Sequence, residues 1–318
     1  MKYCLYGTVF NNNSVVHESI KSYFNSYYDI VIVDNYSTDG TWEKLCELRK
    51  EYNLQLFRMK SSRGKGRDYA LKYCKEHSLS AYFDLDTVAN ENFSKVFMSD
   101  VDGIELGFGG SGTLIRNREE IIKKGGWRDL NAGEDLEFKL RIGFNYSLPI
   151  VYFFDQKINQ MRESRYSKNA IDLAIRLLKK YIDCTRGRNY SLRDLMIIHK
   201  KKFKIFAFLL YIIPLLLGKY SFGSGNNRVM FFYKSFSSLT NPKSLGINID
   251  NNYIALAYPD IWKKFSYYKE YYINFNEFKE KVFQKLGKME LQKYKDVTVF
   301  AKNSFAFKNF IDAYYIGI

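Results

Sequence analysis

The four cysteines of this chain, Cys4, Cys46, Cys74 and Cys184, form no C-x-x-C pair and have no histidine at zinc-ligand spacing. A structural zinc knuckle is therefore excluded. Four scattered thiols in a chain of 318 residues fit a reducing compartment better than a stapled, secreted fold. No charged region and apolar stretch precede the first strand-like run, since Met1-Lys2 leads directly into Tyr3–Val9. The expectation is a cytoplasmic protein, or one at the cytoplasmic face of a membrane. Glycine-rich phosphate loops are missing as well. Gly7-Thr8-Val9-Phe10-Asn11 is neither G-x-G-x-x-G nor a P-loop, and Gly64-Lys65-Gly66 is a lone G-x-G. A Rossmann dehydrogenase and a P-loop enzyme are excluded on these grounds.

A long membrane-spanning run is absent too. Ile205–Leu217 is apolar throughout but contains Pro214, and at 1.5 Å per residue it covers about 20 Å of a hydrocarbon core of roughly 30 Å. It reads first as an interfacial or re-entrant membrane segment. The alternatives are a buried helix, or a full span from Phe203 to Phe222 with Lys204 and Lys219 snorkelling.

What is present is the balance of a globular protein. Apolar residues make up 46% and charged residues 26% of the chain, which rules out disorder and collagen-like structure. Lys and Arg number 49 against 34 Asp and Glu, a net charge of +15 that favours an anionic partner. The first half alternates strand and helix patterns. Strands are predicted at Tyr3–Val9, Asp29–Val33, Leu54–Phe57 and Ala81–Leu85, with helices over Val15–Tyr23 and Thr41–Glu51. Arg63–Gly66 is expected as a loop ahead of a third helix reaching Lys75. A short strand at Thr113–Ile115 and helices at Arg118–Lys124, Glu134–Ile142 and Ser167–Asp183 follow. This spacing predicts a largely parallel sheet covered on both faces, with ligands at the carboxyl ends of its strands.

Acidic residues stand where those strands end. Asp34 and Asp39 lie in V-D-N-Y-S-T-D-G-T, Asp84 and Asp86 in Y-F-D-L-D-T-V, and Glu134-Asp135 in A-G-E-D-L-E-F-K-L-R. Alone, Asp34 and Asp39 read equally well as turn and cap residues, and Glu134-Asp135 as ordinary first-turn acids of a helix. Asp84 and Asp86 are different. Two carboxylates one residue apart at the end of an apolar strand repel each other unless a cation lies between them, and a divalent ion with phosphate oxygens in its shell suits that position.

The order of these motifs, with R-G-K-G at Arg63–Gly66 and G-G-W at Gly125–Trp127 between them, resembles that of GT-A fold, family 2 glycosyltransferases. The resemblance covers roughly Tyr3 to Ile142. It implies an α/β fold of the nucleotide-diphospho-sugar transferase type, with a mostly parallel sheet and helices on both faces, followed by a helical or α+β C-terminal region. It implies an inverting, metal-dependent transfer of sugar from a nucleotide-diphosphate sugar to an acceptor glycan, protein or lipid phosphate. By the same resemblance Val9, Phe10 and Asn11 line the nucleotide pocket, and Asp34 accepts a hydrogen bond from the base. Asn35 stands where the family often has a second Asp. Arg63 and Lys65 reach the nucleotide or its phosphates. Asp84 touches the ribose or the metal shell, and Asp86 ligates Mn²⁺ or Mg²⁺. Asp135 is the general base, Glu134 holds a sugar, and Arg141 supports the loop. The stretch between Asp86 and Glu134 is shorter than the family's usual one, implying a reduced acceptor side. Q-x-x-R-W is absent, which speaks against a polymerising enzyme.

Arg162–Lys168 is similar to the R-x-x-G-x-S-K stretch of polyprenyl-phosphate hexose synthases, with Arg165 in place of the glycine. That similarity implies a lipid-phosphate contact through Arg162, Arg165 and Lys168. A solvated, basic helix start is the plainer reading of the same residues. Arg186–Lys204 is also basic, so a peripheral membrane contact is expected. The organisation expected is a catalytic region over 1–155, a basic helical and apolar region over 156–222, and a C-terminal accessory region over 223–318. Two rival classes remain: a basic nucleic-acid-binding protein, against which no recognition signature is present, and a sugar-nucleotide-binding module without catalysis.

Overall fold

The computed structural model describes residues 2–108, 112–150, 169–188, 190–198, 211–213, 216 and 227–313. The N-terminal half runs β1 (Tyr3–Val9), α1 (Val16–Tyr23), β2 (Tyr28–Asp34), α2 (Thr41–Tyr52), β3 (Leu54–Arg58), α3 (Arg63–Lys72) and β4 (Leu79–Tyr82). It continues through α4 (Asn92–Phe97), β5 (Ile104–Leu106), β6 (Thr113–Asn117), α5 (Arg118–Lys123), α6 (Glu134–Ile142) and β7 (Tyr146–Leu148). Helices α7 (Ala170–Arg188), α8 (Leu192–Ile198) and α9 (Asn227–Ser237) follow. The C-terminal part is β8 (Ala255–Pro259), α10 (Phe275–Leu286), β9 (Glu290–Tyr294), β10 (Val297–Ala301) and α11 (Ser304–Ala313).

Seven strands form one sheet in the order β3-β2-β1-β4-β6-β5-β7, and three more form a small antiparallel sheet, β8-β10-β9. The first four strands are parallel, and only β6 runs against its neighbours. In register, Val9 stands beside Asp34 and Asp34 beside Arg58, so the carboxyl ends of β1, β2 and β3 line one edge. Successive side chains enter opposite faces of the sheet, as the pleat requires. Leu5, Ile30 and Ile32 pack with Val16, Ile20 and Leu45, whereas Tyr6, Val31 and Val33 pack with Leu71, Trp127 and Phe138. Burial on both faces explains why these strands read as continuous apolar runs.

Three expectations change. Arg63–Gly66 is the first turn of α3, not a loop, because the Ser62 hydroxyl accepts the Lys65 N–H at 3.1 Å and caps the helix there. The fourth strand lies at Leu79–Tyr82, ahead of the predicted Ala81–Leu85, so Asp84 and Asp86 are loop residues beyond its end. Cys4 and Cys74 are not thiols but a disulfide, with their Cα atoms 5.7 Å apart. The connection from β3 through α3 to β4, which pairs with β1, brings them together across 70 residues of sequence; Cys46 is free and exposed. Ile205–Leu217 falls largely outside the described residues. Among the described residues no helix is long and apolar enough to cross a membrane.

One close approach fixes the site's geometry. The Gly64 N–H donates to the Leu130 carbonyl at 2.9 Å, and a Cβ on Gly64 would stand 2.0 Å from the Arg128 carbonyl oxygen. Only glycine lets α3 lie this close to the segment that leads into α6. Gly64→Ala is therefore expected to lose about 1–3 kcal/mol of stability, the usual range for an overpacked contact. Urea unfolding with an unchanged denaturant slope checks this.

Candidate active site

The carboxyl edge of β1 and β2 is closed by a turn that polar side chains knit together. Asp34 is fully buried and accepts the Ser37 N–H at 3.1 Å and the Arg58 Nε–H at 3.0 Å. The Arg58 guanidinium also donates to the Ser37 carbonyl and lies over the rings of Tyr36 and Trp42, at 5.0 and 5.2 Å from their centroids. Asn11 and Tyr36 both adopt the left-handed backbone region. The Asn11 N–H donates to the Ser37 hydroxyl, and its side-chain carbonyl accepts the Thr38 N–H at 2.9 Å. Burial pushes the Asp39 carboxyl up, but hydrogen bonds from Thr41 and the Asn13 N–H outweigh it and leave the pKa below the usual range. Asn35 accepts the Ser61 N–H at 2.8 Å, joining this turn to the start of α3. Val9 is buried in the core, while Phe10 and Asn11 are half-buried at the rim.

A buried cation connects the remaining motifs. Arg67, on α3, is 2% exposed and lies between the rings of Tyr82 and Trp127, 4.8 Å from each centroid. One of its terminal nitrogens donates to Asp84 and the other to Glu134 Oε1, the latter at 3.1 Å. Arg63 adds a second donor to the same Glu134 oxygen at 3.2 Å. Burial works against the Arg67 charge, yet Asp84 and Glu134 more than offset it, so its pKa is raised. Three stretches far apart in sequence, α3, the loop after β4 and the start of α6, are tied by one side chain. Sequence reasoning missed Arg67 and Arg58. For Arg58 the available signal was its place at the end of β3; Arg67 stands one residue past R-G-K-G.

Asp135 follows Glu134 at the head of α6, where its carboxylate accepts the Leu136 N–H. Tyr82, beneath it, has its pKa raised well above the ordinary value by burial first and then by the charge of Asp135. Glu134 keeps its second carboxylate oxygen, Oε2, buried without a hydrogen-bond partner among the described residues. Arg141, at the other end of α6, donates to both oxygens of Glu137 and to the carbonyls of Lys124 and Gly126. It fastens the Gly125-Gly126 turn and does not reach the carboxylate edge. Lys65 is exposed on the first turn of α3. Arg162, Arg165 and Lys168 lie outside the described residues.

Among the described residues no three His, Cys, Asp or Glu side chains gather as a ready-made metal cage. The donor set present suits the other kind of site. Asp84 commits one oxygen to Arg67, and half-buried Asp86 lies two residues on. Hard divalent cations are held this way, by one or two carboxylates, with water and substrate phosphates completing the shell.

Residues 8–108 match the family described as glycosyl transferase family 2. Over that stretch, about a third of the chain, the sequence is similar to family 2 glycosyltransferases. The matched span contains Asp34, Arg63, Arg67, Asp84 and Asp86, and ends before Glu134 and Asp135. No curated protein matches the chain. Among solved structures, S. aureus TarS is 12% identical with a TM-score of 0.42, covering 92% of this chain and 57% of its own. S. aureus TarS 1-349 in complex with UDP-GlcNAc is 13% identical with a TM-score of 0.46, covering 85% and 92%. The mannosyltransferase PcManGT from Pyrobaculum calidifontis, in complex with GDP-Man and Mn²⁺, is 13% identical with a TM-score of 0.40, covering 74% and 73%. This chain thus spans little more than half the length of full TarS, and no residue role is carried over from these structures.

The bridge sets an expectation for stability. Arg67→Met leaves Glu134 buried with only the half-exposed Arg63, and should lose about 3–5 kcal/mol, as broken buried ion pairs do. Arg67→Lys should recover little of it, since an ammonium does not reproduce a two-armed fork between carboxylates. Chemical denaturation of both variants decides the point.

Proposed function

We propose that this chain transfers a glycosyl group, with inversion, from a nucleotide-diphosphate sugar to an acceptor hydroxyl or lipid phosphate. The observation that supports the proposal is the Arg67 bridge between Asp84 and Glu134, in a chain whose residues 8–108 match glycosyl transferase family 2. Asp34, Asn35, Phe10 and Asn11 would face the nucleoside, and Arg63 and Lys65 its phosphates. Glu134 Oε2, buried and without a partner, would accept a sugar hydroxyl.

In the transfer step, the bond between the anomeric carbon and the diphosphate oxygen breaks, and its electron pair leaves with the diphosphate. The acceptor oxygen forms the new bond from the opposite side, and its proton passes to the Asp135 carboxylate. Asp86, with Asp84, would hold Mn²⁺ or Mg²⁺. Such an ion supplies charge neutralisation for the leaving diphosphate. A phosphate acceptor is already anionic and needs no base, so dependence on Asp135 separates the two acceptor classes. Arg162, Arg165 and Lys168 would contact a lipid phosphate, with the protein at the cytoplasmic face of a membrane.

Asp135→Asn should lower kcat for a hydroxyl acceptor by about 100-fold or more, with donor affinity nearly unchanged. Steady-state kinetics beside calorimetric donor binding reads both quantities; transfer at a comparable rate removes the base assignment. Asp86→Ala should abolish the gain in donor affinity that Mn²⁺ brings to the unmodified chain. Titration of a panel of UDP-, GDP- and dTDP-sugars with and without the ion measures that gain and names the donor.

A further inference from the structure

We infer that Lys124, Lys234, Arg116 and the Asn145 amide form a second anion site, specific for a phosphate-class ligand, on the sheet edge opposite the catalytic one. The topology places them there. β6 is antiparallel to β4, with Asn117 beside Leu79, so Arg116 sits at the amino end of the parallel strands. Gly103 precedes β5, Gly143 ends α6 and Asn145 precedes β7, all at that same edge. The lysine Nζ atoms of Lys234 and Lys124 lie 3.3 and 3.8 Å from the point a Gly143 Cβ would occupy. An Arg116 Nη and the Asn145 amide nitrogen lie 2.6 and 2.9 Å from the corresponding point on Gly103. Gly103 and Asn145 are hydrogen-bonded neighbours, the Asn145 N–H donating to the Gly103 carbonyl at 2.8 Å.

Three cations gathered in this way require a counter-charge, and the chain supplies little. The Lys124 ammonium donates to the Ile142 carbonyl, which a lysine at a helix C-terminus often does. That contact explains one lysine only. Lys234 lies over the Phe144 ring at 4.9 Å, and no ion pair joins it or Lys124 to a carboxylate among the described residues. Burial first, and then the charges of Lys124 and Arg116, push its pKa down. Among the described residues Arg116 has Nε buried without a hydrogen-bond partner, and its Nη1 makes an ion pair but no hydrogen bond. Its one acidic neighbour, Asp102, stands at 3.4 Å and spends its other oxygen on the Asn117 N–H. One carboxylate against three cations on this edge leaves positive charge uncompensated among the described residues. A phosphate dianion offers what is missing, charge and several acceptor oxygens for charge-assisted hydrogen bonds. Free phosphate and an anionic lipid headgroup share this chemistry.

The test uses the full chain with and without the paired substitution Lys124→Gln and Lys234→Gln, and separately with Asn145→Asp, a change at an exposed position. Inorganic phosphate and pyrophosphate are titrated calorimetrically in metal-free buffer. The expected result is a binding event in the unmodified chain that weakens about tenfold or more in both variants, while sugar-nucleotide affinity and transfer rate stay the same. Phosphate should raise the melting temperature of the unmodified chain but not of the paired variant. Flotation with phosphatidylglycerol or phosphatidylcholine vesicles assigns the source. Loss of flotation with the anionic vesicles in the variants identifies a headgroup; unchanged flotation beside lost phosphate binding identifies a free phosphate. Equal phosphate affinity in all chains, or no phosphate binding and no vesicle difference in any of them, overturns the inference. Neither result bears on the catalytic edge, whose own substitutions lie at Asp86 and Asp135.

Discussion

A guanidinium removed from water is tolerated only where opposite charges and hydrogen bonds replace its hydration. Arg67 is such a group, and the architecture around it follows from that requirement. Two carboxylates, on Asp84 and Glu134, must meet its two arms, and the faces of Tyr82 and Trp127 must cover its plane. To satisfy these demands at once, the first turn of α3 lies directly on the 128–130 segment, and Gly64 is what permits that approach. Trp127 in turn stacks on Phe138 with centroids 3.7 Å apart, which seats α6. This acidic edge is thus assembled around one cation.

Helix α6 repeats the device. It buries three charged side chains, and two of them reach neighbouring elements. Glu134 pairs with Arg67 on α3 and Lys139 with Glu105 on β5 at 3.4 Å, while Glu137 pairs within the helix with Arg141, whose guanidinium also holds the carbonyls of Lys124 and Gly126. Burial holds the Glu105 carboxyl above its ordinary pKa, although Lys139 and the Ser147 hydroxyl work to lower it. Ion pairs of this kind add little net stability compared with well-packed apolar side chains, but a slip along the helix would leave charges buried and unpaired. They fix register, and register is what a short helix bearing Asp135 at its head needs.

Much of this fold was legible, for definable reasons. The strands at Tyr3–Val9 and Tyr28–Asp34 are apolar on both faces, so they announced a covered parallel sheet, and the acids after them marked its ligand edge. What escaped were features set by tertiary contact. Arg67 on a helix reads as a solvated charge until Trp127 and Tyr82 are known to enclose it. The Cys4–Cys74 bond joins residues that only the crossover makes adjacent. Strands β5 and β7 have three residues each, and β5 carries the charged Glu105 in its centre, so neither shows a strand pattern.

The C-terminal part carries no motif, yet the catalytic sheet depends on it. Phe108, just past β5, packs edge-on against Phe232 of α9 and against Phe278 of α10. Asn92, at the start of α4, exchanges two hydrogen bonds with the Asp250 backbone, and Ile150 bridges to Ile254. One apolar cluster therefore runs from Leu5 and Ile30 in the central strands to Tyr258 and Phe300 in the small sheet. Removing residues 223–318 would take away Phe232 and Phe278 and bare Phe108 at the end of β5. The packing of this region is thus part of the fold that holds the seven-stranded sheet.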